Sequence, residues 1–245
     1  MLIIKDWEDY FNHELTWTAH IRDRLYDKAN LSQKKALLEI GCGSGELLKE
    51  IGVQFNLKLY GIDINQNKIK YAKENLRKNM IDAKLSVMNI LDNQFQSQMF
   101  DVVITHFFFL WVKNLRECFN QIHRILKPNG VLLIFGEPDY GGLVEYPDTN
   151  LKKELFSQMK NFGADPEVGR KLNQYFLGKF NIEEHFCSSF PWISNMNKTQ
   201  LLNDMNFFKE KLNAKKFQSD LMKKSIEEEK YFLFIPVFSY FLKRI

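Results

Sequence analysis

Between an apolar run and an amphipathic stretch the chain carries Glu39-Ile40-Gly41-Cys42-Gly43-Ser44-Gly45, three alternating glycines preceded by a carboxylate. Glycines that lack a Cβ let a ligand lie against bare backbone, and a helix starting just beyond them adds the positive end of its dipole. The spacing discriminates between ligands. Dinucleotide sites put the third glycine three residues after the second, so that helix and strand pack closely beneath a pyrophosphate. Here it comes two residues after, and Glu39 suits a ligand that has no pyrophosphate and carries an amino-acid ammonium. Nicotinamide-dependent oxidoreduction is disfavoured on this ground. Asp63 closes the next apolar run, where its two oxygens can accept from the 2′ and 3′ hydroxyls of a ribose. Its alternative task is to cap a helix beginning near Asn65.

A second group of chemically capable residues follows later apolar runs. His106 stands after Phe100 to Thr105, at the end of a strand where open α/β sheets bind ligands, and an imidazole there suits proton transfer near neutral pH or the shaping of a pocket. Glu137, Asp139 and Tyr140 stand after Val131 to Phe135, with Gly141 and Gly142 allowing close backbone approach. Glu137, Tyr140 and the later Arg170 are candidates for substrate contact; Asp139 can instead cap a turn, and Arg170 can pair with a surface acid. The run Phe107 to Trp111 serves either as pocket wall or as core under the next helix. Trp7, Tyr10, Phe11 and Trp17 carry the same ambiguity, and Tyr10 is the candidate among them for closing over a substrate.

These residues are positioned by an alternating series of elements. Residues 7 to 29 have helical periodicity and form an N-terminal cap. Strands are expected over Lys34 to Ile40, Leu57 to Ile62, Ala83 to Met88, Phe100 to Thr105 and Val131 to Phe135, with helices over Glu46 to Phe55, Asn65 to Lys78 and Leu115 to Leu126. Strand–helix alternation argues for a parallel sheet wound by right-handed crossovers. Beyond residue 138 the rhythm changes: helices over Thr149 to Phe162 and Val168 to Phe180, a strand-like Ile182 to Ile193, a helical stretch from Lys198 to Tyr231, and a final strand from Phe232 to Tyr240 pairing antiparallel at the sheet edge. The expectation is one domain over 1–245: cap 1–33, cofactor-binding core 34–137, helical insertion or lid 138–181, and C-terminal sheet edge and helices 182–245.

Composition bounds the alternatives. A chain of 245 residues can bury its own core without staples, and its three cysteines, Cys42, Cys118 and Cys187, have neither disulfide-framework nor zinc-site spacing, so no metal is expected. The formal charge of +4, from 34 basic and 30 acidic residues, is scattered rather than striped, which argues against a nucleic-acid partner. No signal-peptide core and no membrane-length apolar stretch is visible, so a cytoplasmic location without membrane insertion is expected. Oligomeric state leaves no signature in the sequence.

Taken in order, LLEIGCGSG, LYGIDIN, VMNILD, FDVVITHFFFLWV and HRILKPNGVLLIFGE resemble the class I S-adenosylmethionine-dependent methyltransferases, specifically the small-molecule, quinone-methyltransferase-like (type 11) group. The resemblance covers most of residues 34 to 137. It implies a Rossmann-like three-layer α/β/α sandwich with a seven-stranded, mostly parallel sheet and an antiparallel last strand. It also implies S-adenosyl-L-methionine held by Glu39, Gly41, Cys42, Gly43, Gly45, Asp63, Ile64, Asn89, Ile90 and His106. Asn89 replaces the usual acidic residue, and its carbonyl can still meet the adenine amino group while the Ile90 N–H meets a ring nitrogen. The implied reaction is in-line displacement onto oxygen, nitrogen or carbon of a small-molecule acceptor, with S-adenosyl-L-homocysteine as product. Alignment is then the main requirement, with His106 as candidate base. Two other functions compete. A nucleic-acid (RNA) methyltransferase lacks support because Thr105-His106-Phe107-Phe108 stands where base-modifying enzymes place an N/D-P-P-aromatic grip. A non-catalytic cofactor-binding or assembly subunit would have its acceptor pocket filled by Phe107 to Trp111.

Overall fold

The structure, a computed structural model, describes Leu15 and residues 18–189, 192–212 and 216–245. Its elements begin with α1 (Ala19–Ala29), β1 (Ala36–Ile40), α2 (Glu46–Gln54), β2 (Lys58–Asp63), α3 (Gln66–Lys78), β3 (Ala83–Val87), β4 (Phe100–Thr105), α4 (Leu115–Ile125) and β5 (Leu126–Pro138). There follow β6 (Val144–Tyr146), α5 (Leu151–Asn161), α6 (Val168–Lys171), β7 (Phe180–Ser188), β8 (Trp192–Ile193), α7 (Ser194–Lys211), α8 (Ser219–Glu227), β9 (Phe232–Phe234) and β10 (Val237–Arg244).

The larger sheet has the order β3-β2-β1-β4-β5-β10-β7. Pairings of β1 with β2 and β4, of β2 with β3 and of β4 with β5 are all parallel. β10 is the exception. Ser239 Oγ donates to the Phe135 carbonyl while the Arg244 guanidinium reaches the Leu126 carbonyl, so β10 runs against β5. A mostly parallel sheet flanked by helices is therefore what the alternating sequence produces.

Two compact units divide the chain. The first comprises Met1–Glu137, Leu172–Phe186 and Ser239–Ile245. Its strands bury both faces: Leu37, Val102, Ile104 and Leu133 join one cluster with Leu25 of α1 and Leu48 of α2, while the alternate residues Leu38, Val103 and Leu132 are equally buried outside it. The second unit comprises Pro138–Lys171 and Cys187–Phe238. It holds a separate antiparallel sheet in the order β6-β9-β8, with Leu155, Met205, Phe208 and Ile226 of α5, α7 and α8 buried.

The elements up to β5 match the sequence expectation closely, although β5 starts earlier, at Leu126, and passes through Asn129 in the left-handed region. Later ones depart from it. The expected strand Ile182 to Ile193 divides between β7 in the large sheet and β8 in the small one, and the expected final strand divides at Pro236 into β9 and β10. A proline has no N–H for a ladder, which makes it a natural break. β10 is antiparallel as expected but lies inside the sheet, with β7 taking the edge. The stretch expected to be helical from Lys198 to Tyr231 is two helices, α7 and α8, and that from Val168 to Phe180 is the single turn α6 followed by a 3-10 turn, Leu172–Tyr175.

Gly61, in β2, tests the packing beneath the glycine run. A Cβ there would lie 2.7 Å from Leu85 Cδ2, 2.8 Å from Leu48 Cδ1 and 3.0 Å from Cys42 Sγ. Gly61→Ala is expected to destabilise the protein by roughly 1–3 kcal/mol, read by urea unfolding; an unchanged midpoint would show that this layer yields to an added methyl group.

Candidate functional site

The chain leaving β1 turns sharply because two consecutive N–H groups, those of Gly41 and Cys42, donate to the Ile62 carbonyl at 2.8 and 3.0 Å. Gly41, Gly43 and Gly45 all have positive φ, at +75°, +48° and +78°. Each is glycine for a further reason. A Cβ on Gly45, the residue before α2, would lie 3.2 Å from Ala72 Cβ of α3, and one on Gly41 would lie 2.7 Å from Phe108 Cδ2. One on Gly43 would meet nothing within 4 Å. Gly43 therefore faces open space with its backbone bare, as a ligand cradle requires.

Acidic residues border this cradle. Asp63 Oδ2 accepts from the Gly43 N–H at 3.1 Å and Oδ1 from the Asn65 N–H at 2.8 Å. The helix cap is Asn65 itself, which accepts from Asn67 and Lys68, so α3 does not require Asp63 for that task. A carboxylate offers about four acceptor sites, which leaves Asp63 capacity for two hydroxyls. Beside it Ile64 is 74% exposed, an apolar surface without cover. Glu39 is buried in β1, and its Oε2 has no hydrogen-bond partner among the described residues. Burial, reinforced by the charges of Asp63 and Glu50, holds its carboxyl well above the ordinary range. Cys42 is buried and burial pushes its thiol up, away from nucleophilic use. Past β3, the Asn89 side chain accepts from the Leu91 N–H at 3.0 Å; Asn89 is exposed and Ile90 buried.

At the exit of β4, His106 joins a polar chain not foreseen from the sequence. Arg22 of α1 makes a double contact with Glu50, at 2.9 and 2.6 Å, and its Nη1 donates to Thr18 Oγ1 at 2.7 Å. Thr18 Oγ1 lies 3.0 Å from His106 Nε2 and 3.5 Å from the Leu15 carbonyl. Guanidinium only donates and a hydroxyl has two acceptor lone pairs, so Thr18 fits either His106 tautomer: Nε2–H donating to it while it donates to the Leu15 carbonyl, or the hydroxyl donating to Nε2. The sequence suggests an imidazole titrating near neutrality; burial and the charge of Arg22 instead push His106 down to about 3. A signal was present: Arg22 shares the helical spacing of the buried Leu25, Tyr26 and Ala29, which marks a buried cation in need of partners.

The substrate candidates fall in different places. Glu137 is fully buried at the end of β5, where Oε1 accepts from the N–H groups of Phe108 and Phe109 at 2.8 and 3.0 Å and Oε2 from that of Leu110 at 3.4 Å. It thus caps the 3-10 turn Phe109–Trp111, which has no side-chain cap of its own. In that run Phe107, Phe109 and Leu110 are buried, while Trp111 is 41% exposed. Tyr140 and Arg170 belong to the second unit. Tyr140 is buried, with its N–H donating to the Pro166 carbonyl at 2.8 Å. Arg170 is partly exposed and pairs through Nε and Nη2 with the buried Asp139, which also accepts from the Gly142 N–H. Tyr10 lies outside the described residues, as do Trp7, Phe11 and Trp17. Among the described residues no cluster of acidic, histidine or cysteine side chains is arranged to hold a metal ion, and no helix is long and apolar enough to cross a membrane.

Comparison with known proteins agrees with this geometry. Residues 31–176 match a family profile described as a methyltransferase domain. The chain belongs to this family, within the class I S-adenosylmethionine-dependent methyltransferases. Mitochondrial arginine-hydroxylase NDUFAF5 of Mus musculus is 30% identical over 129 residues, 51% of this chain and 34% of the relative. Sterol 24-C-methyltransferase of Candida albicans is 28% identical over 135 residues, 54% of this chain and 35% of the relative. The matches thus span about a third of the length of these curated relatives. Among solved structures, the MccD protein superposes with a TM-score of 0.64 at 18% identity, covering 91% of this chain and 95% of that one. A geranyl diphosphate methyltransferase solved with S-adenosylmethionine gives 0.58 at 12% identity, covering 91% and 85%. These two likenesses are of fold.

Glu137 gives the site a pH signature. Burial raises its carboxyl from 4.5 to about 8 against the opposing pull of three N–H groups, with the Cys118 thiol as its titratable neighbour. Between those values the unfolded chain releases a proton that the folded chain keeps, so stability falls as pH rises from about 4.5 to about 8 and levels off above. Glu137→Gln is expected to flatten this slope, worth on the order of a few kcal/mol, in unfolding midpoints measured across that range. An identical slope in the variant would assign it to other groups.

Proposed function

We propose that the chain transfers the methyl group of S-adenosyl-L-methionine to a small-molecule acceptor, at oxygen, nitrogen or carbon, with S-adenosyl-L-homocysteine as product. When bound, that donor supplies an electrophilic sulfonium methyl, so the protein's own task is alignment and exclusion of water. The observation that carries this reading is the bare backbone of Gly43 facing open space while its N–H is held by Asp63. The other residues fit the same group. Glu39 keeps one buried oxygen without a partner among the described residues, suited to an ammonium, which would also bring its raised carboxyl back toward ionisation. Asp63 retains acceptor capacity for ribose hydroxyls, exposed Ile64 offers an apolar surface for a purine, and Asn89 and Ile90 follow at the next strand end.

His106 serves this reaction as a neutral group rather than as a base. Glu137 serves it from behind the β4 exit and Cys42 by packing beneath the glycine run, while Tyr140 and Arg170 are engaged within the second unit. Scattered charge supports a small molecule over a nucleic acid, and the cytoplasm is the compartment that fits three free cysteines. The mouse relative's name, a hydroxylase, shows that the acceptor and the reaction must be measured rather than inherited.

Calorimetric titration with S-adenosylhomocysteine is expected to show binding that Asp63→Ala weakens about 10- to 100-fold, the loss of two charge-assisted hydrogen bonds. Absence of binding to the unaltered chain would overturn the donor assignment. In a transfer assay with radiolabelled donor and candidate small molecules, His106→Asn is expected to leave the shape of the pH profile between about 6 and 8 unchanged; loss of a limb in that range would restore the histidine as a base.

A further inference from the structure

Phe107 adopts a left-handed backbone conformation, φ +48°, although it is neither glycine nor asparagine. Such a conformation is unfavourable for an aromatic residue and persists only where its surroundings over-determine it. Two holds are visible. The Phe107 N–H donates to the Gly136 carbonyl at 2.9 Å, and the next three N–H groups converge on the Glu137 carboxyl group. Three consecutive N–H groups closing on one side chain of the neighbouring strand fix the turn from behind. The turn so fixed stacks Phe109 on Phe119, ring centroids 4.7 Å apart, and sets Phe108 against Gly41, the first glycine of the cradle. Gly41 cannot carry even a methyl group without striking that ring.

We propose that Glu137 is a positioning residue for the methyl-donor site, holding the turn after β4 so that Phe108 braces the first turn of the glycine loop. The inference rests on the donor assignment above, and adds to it a path from the end of β5 to the floor of the cradle. The path runs from the carboxyl group through three backbone N–H groups to Phe108 and ends at Gly41. Glu137 touches no donor atom in this role. It governs how well Gly41 to Gly45 are held before a ligand arrives, which is a matter of donor affinity rather than of chemistry. The side-chain amide of a glutamine supplies one acceptor oxygen and turns two donors toward the remaining N–H, so even a shape-conserving change weakens the hold.

The test is a double-mutant cycle on the full chain, read as affinity for S-adenosylhomocysteine by calorimetry, with unfolding midpoints measured in parallel. Glu137→Gln and Phe108→Ala are each expected to weaken binding about 5- to 20-fold, and the double variant to bind no more weakly than Phe108→Ala alone, because the two act in series. Phe108→Leu, which keeps an apolar brace, is expected to recover most of the affinity, whether or not Phe108→Ala folds well enough to be measured. Midpoints that fall while affinity holds would show Glu137 to be structural only and overturn the inference with the donor assignment intact. Additive losses would separate Glu137 from Phe108 and overturn it too. No binding to the unaltered chain would remove the donor assignment and this inference with it.

Discussion

The convergence of the Gly41 and Cys42 N–H groups on the Ile62 carbonyl sets the shape of everything around the cradle. One acceptor at the end of β2 bends the chain out of β1, and the bend demands left-handed backbone at Gly41, Gly43 and Gly45. Residues with a Cβ resist that conformation. The same bend delivers the start of α2 to the strand ends and brings the Gly43 N–H onto Asp63. The parallel order β2-β1-β4 is what sets the Ile62 carbonyl and the β4 exit on either side of the loop, so the sheet acts chiefly as a jig for a few backbone groups.

Much of this was legible in the sequence because local chemistry dictates it. Alternating glycines after an apolar run and an aspartate closing the next run act through backbone geometry within a few residues, and these elements fall where expected. What escaped was set by partners distant in sequence. Glu137 resembles a substrate-facing carboxylate until the backbone of Phe108 to Leu110 is seen to close on it, 27 to 29 residues away. The contact of His106 Nε2 with Thr18, itself held by Arg22 of α1, likewise spans 88 residues. Beyond Pro138 the amphipathic patterns were visible but the sheet to which each strand would belong was not, since strand period says nothing about partner. Pro236 was a local hint that two sheets share that part of the chain.

Buried charge in the first unit is organised rather than dispersed. Arg22 satisfies Glu50, Thr18 and the Leu15 carbonyl together, and Tyr26 adds a further hydrogen bond to Glu50 at 2.8 Å. Removing one member of such a set leaves the rest uncompensated in a medium that solvates charge poorly. Glu39 differs from these, with an oxygen that no described neighbour satisfies. In the second unit, Arg170 pairs with both Asp139 and Glu167, and Asp139 also accepts from the Gly142 N–H.

The Asp63 carboxylate bridges the Gly43 and Asn65 N–H groups in the protein alone, so the floor of the cradle is set before any ligand enters. A rigid floor of this kind reads the parts of a ligand that chemistry leaves unchanged. Under the proposed function, donor and spent product share those parts and would compete for this floor. Turnover would then follow the ratio of the two molecules more than the amount of either.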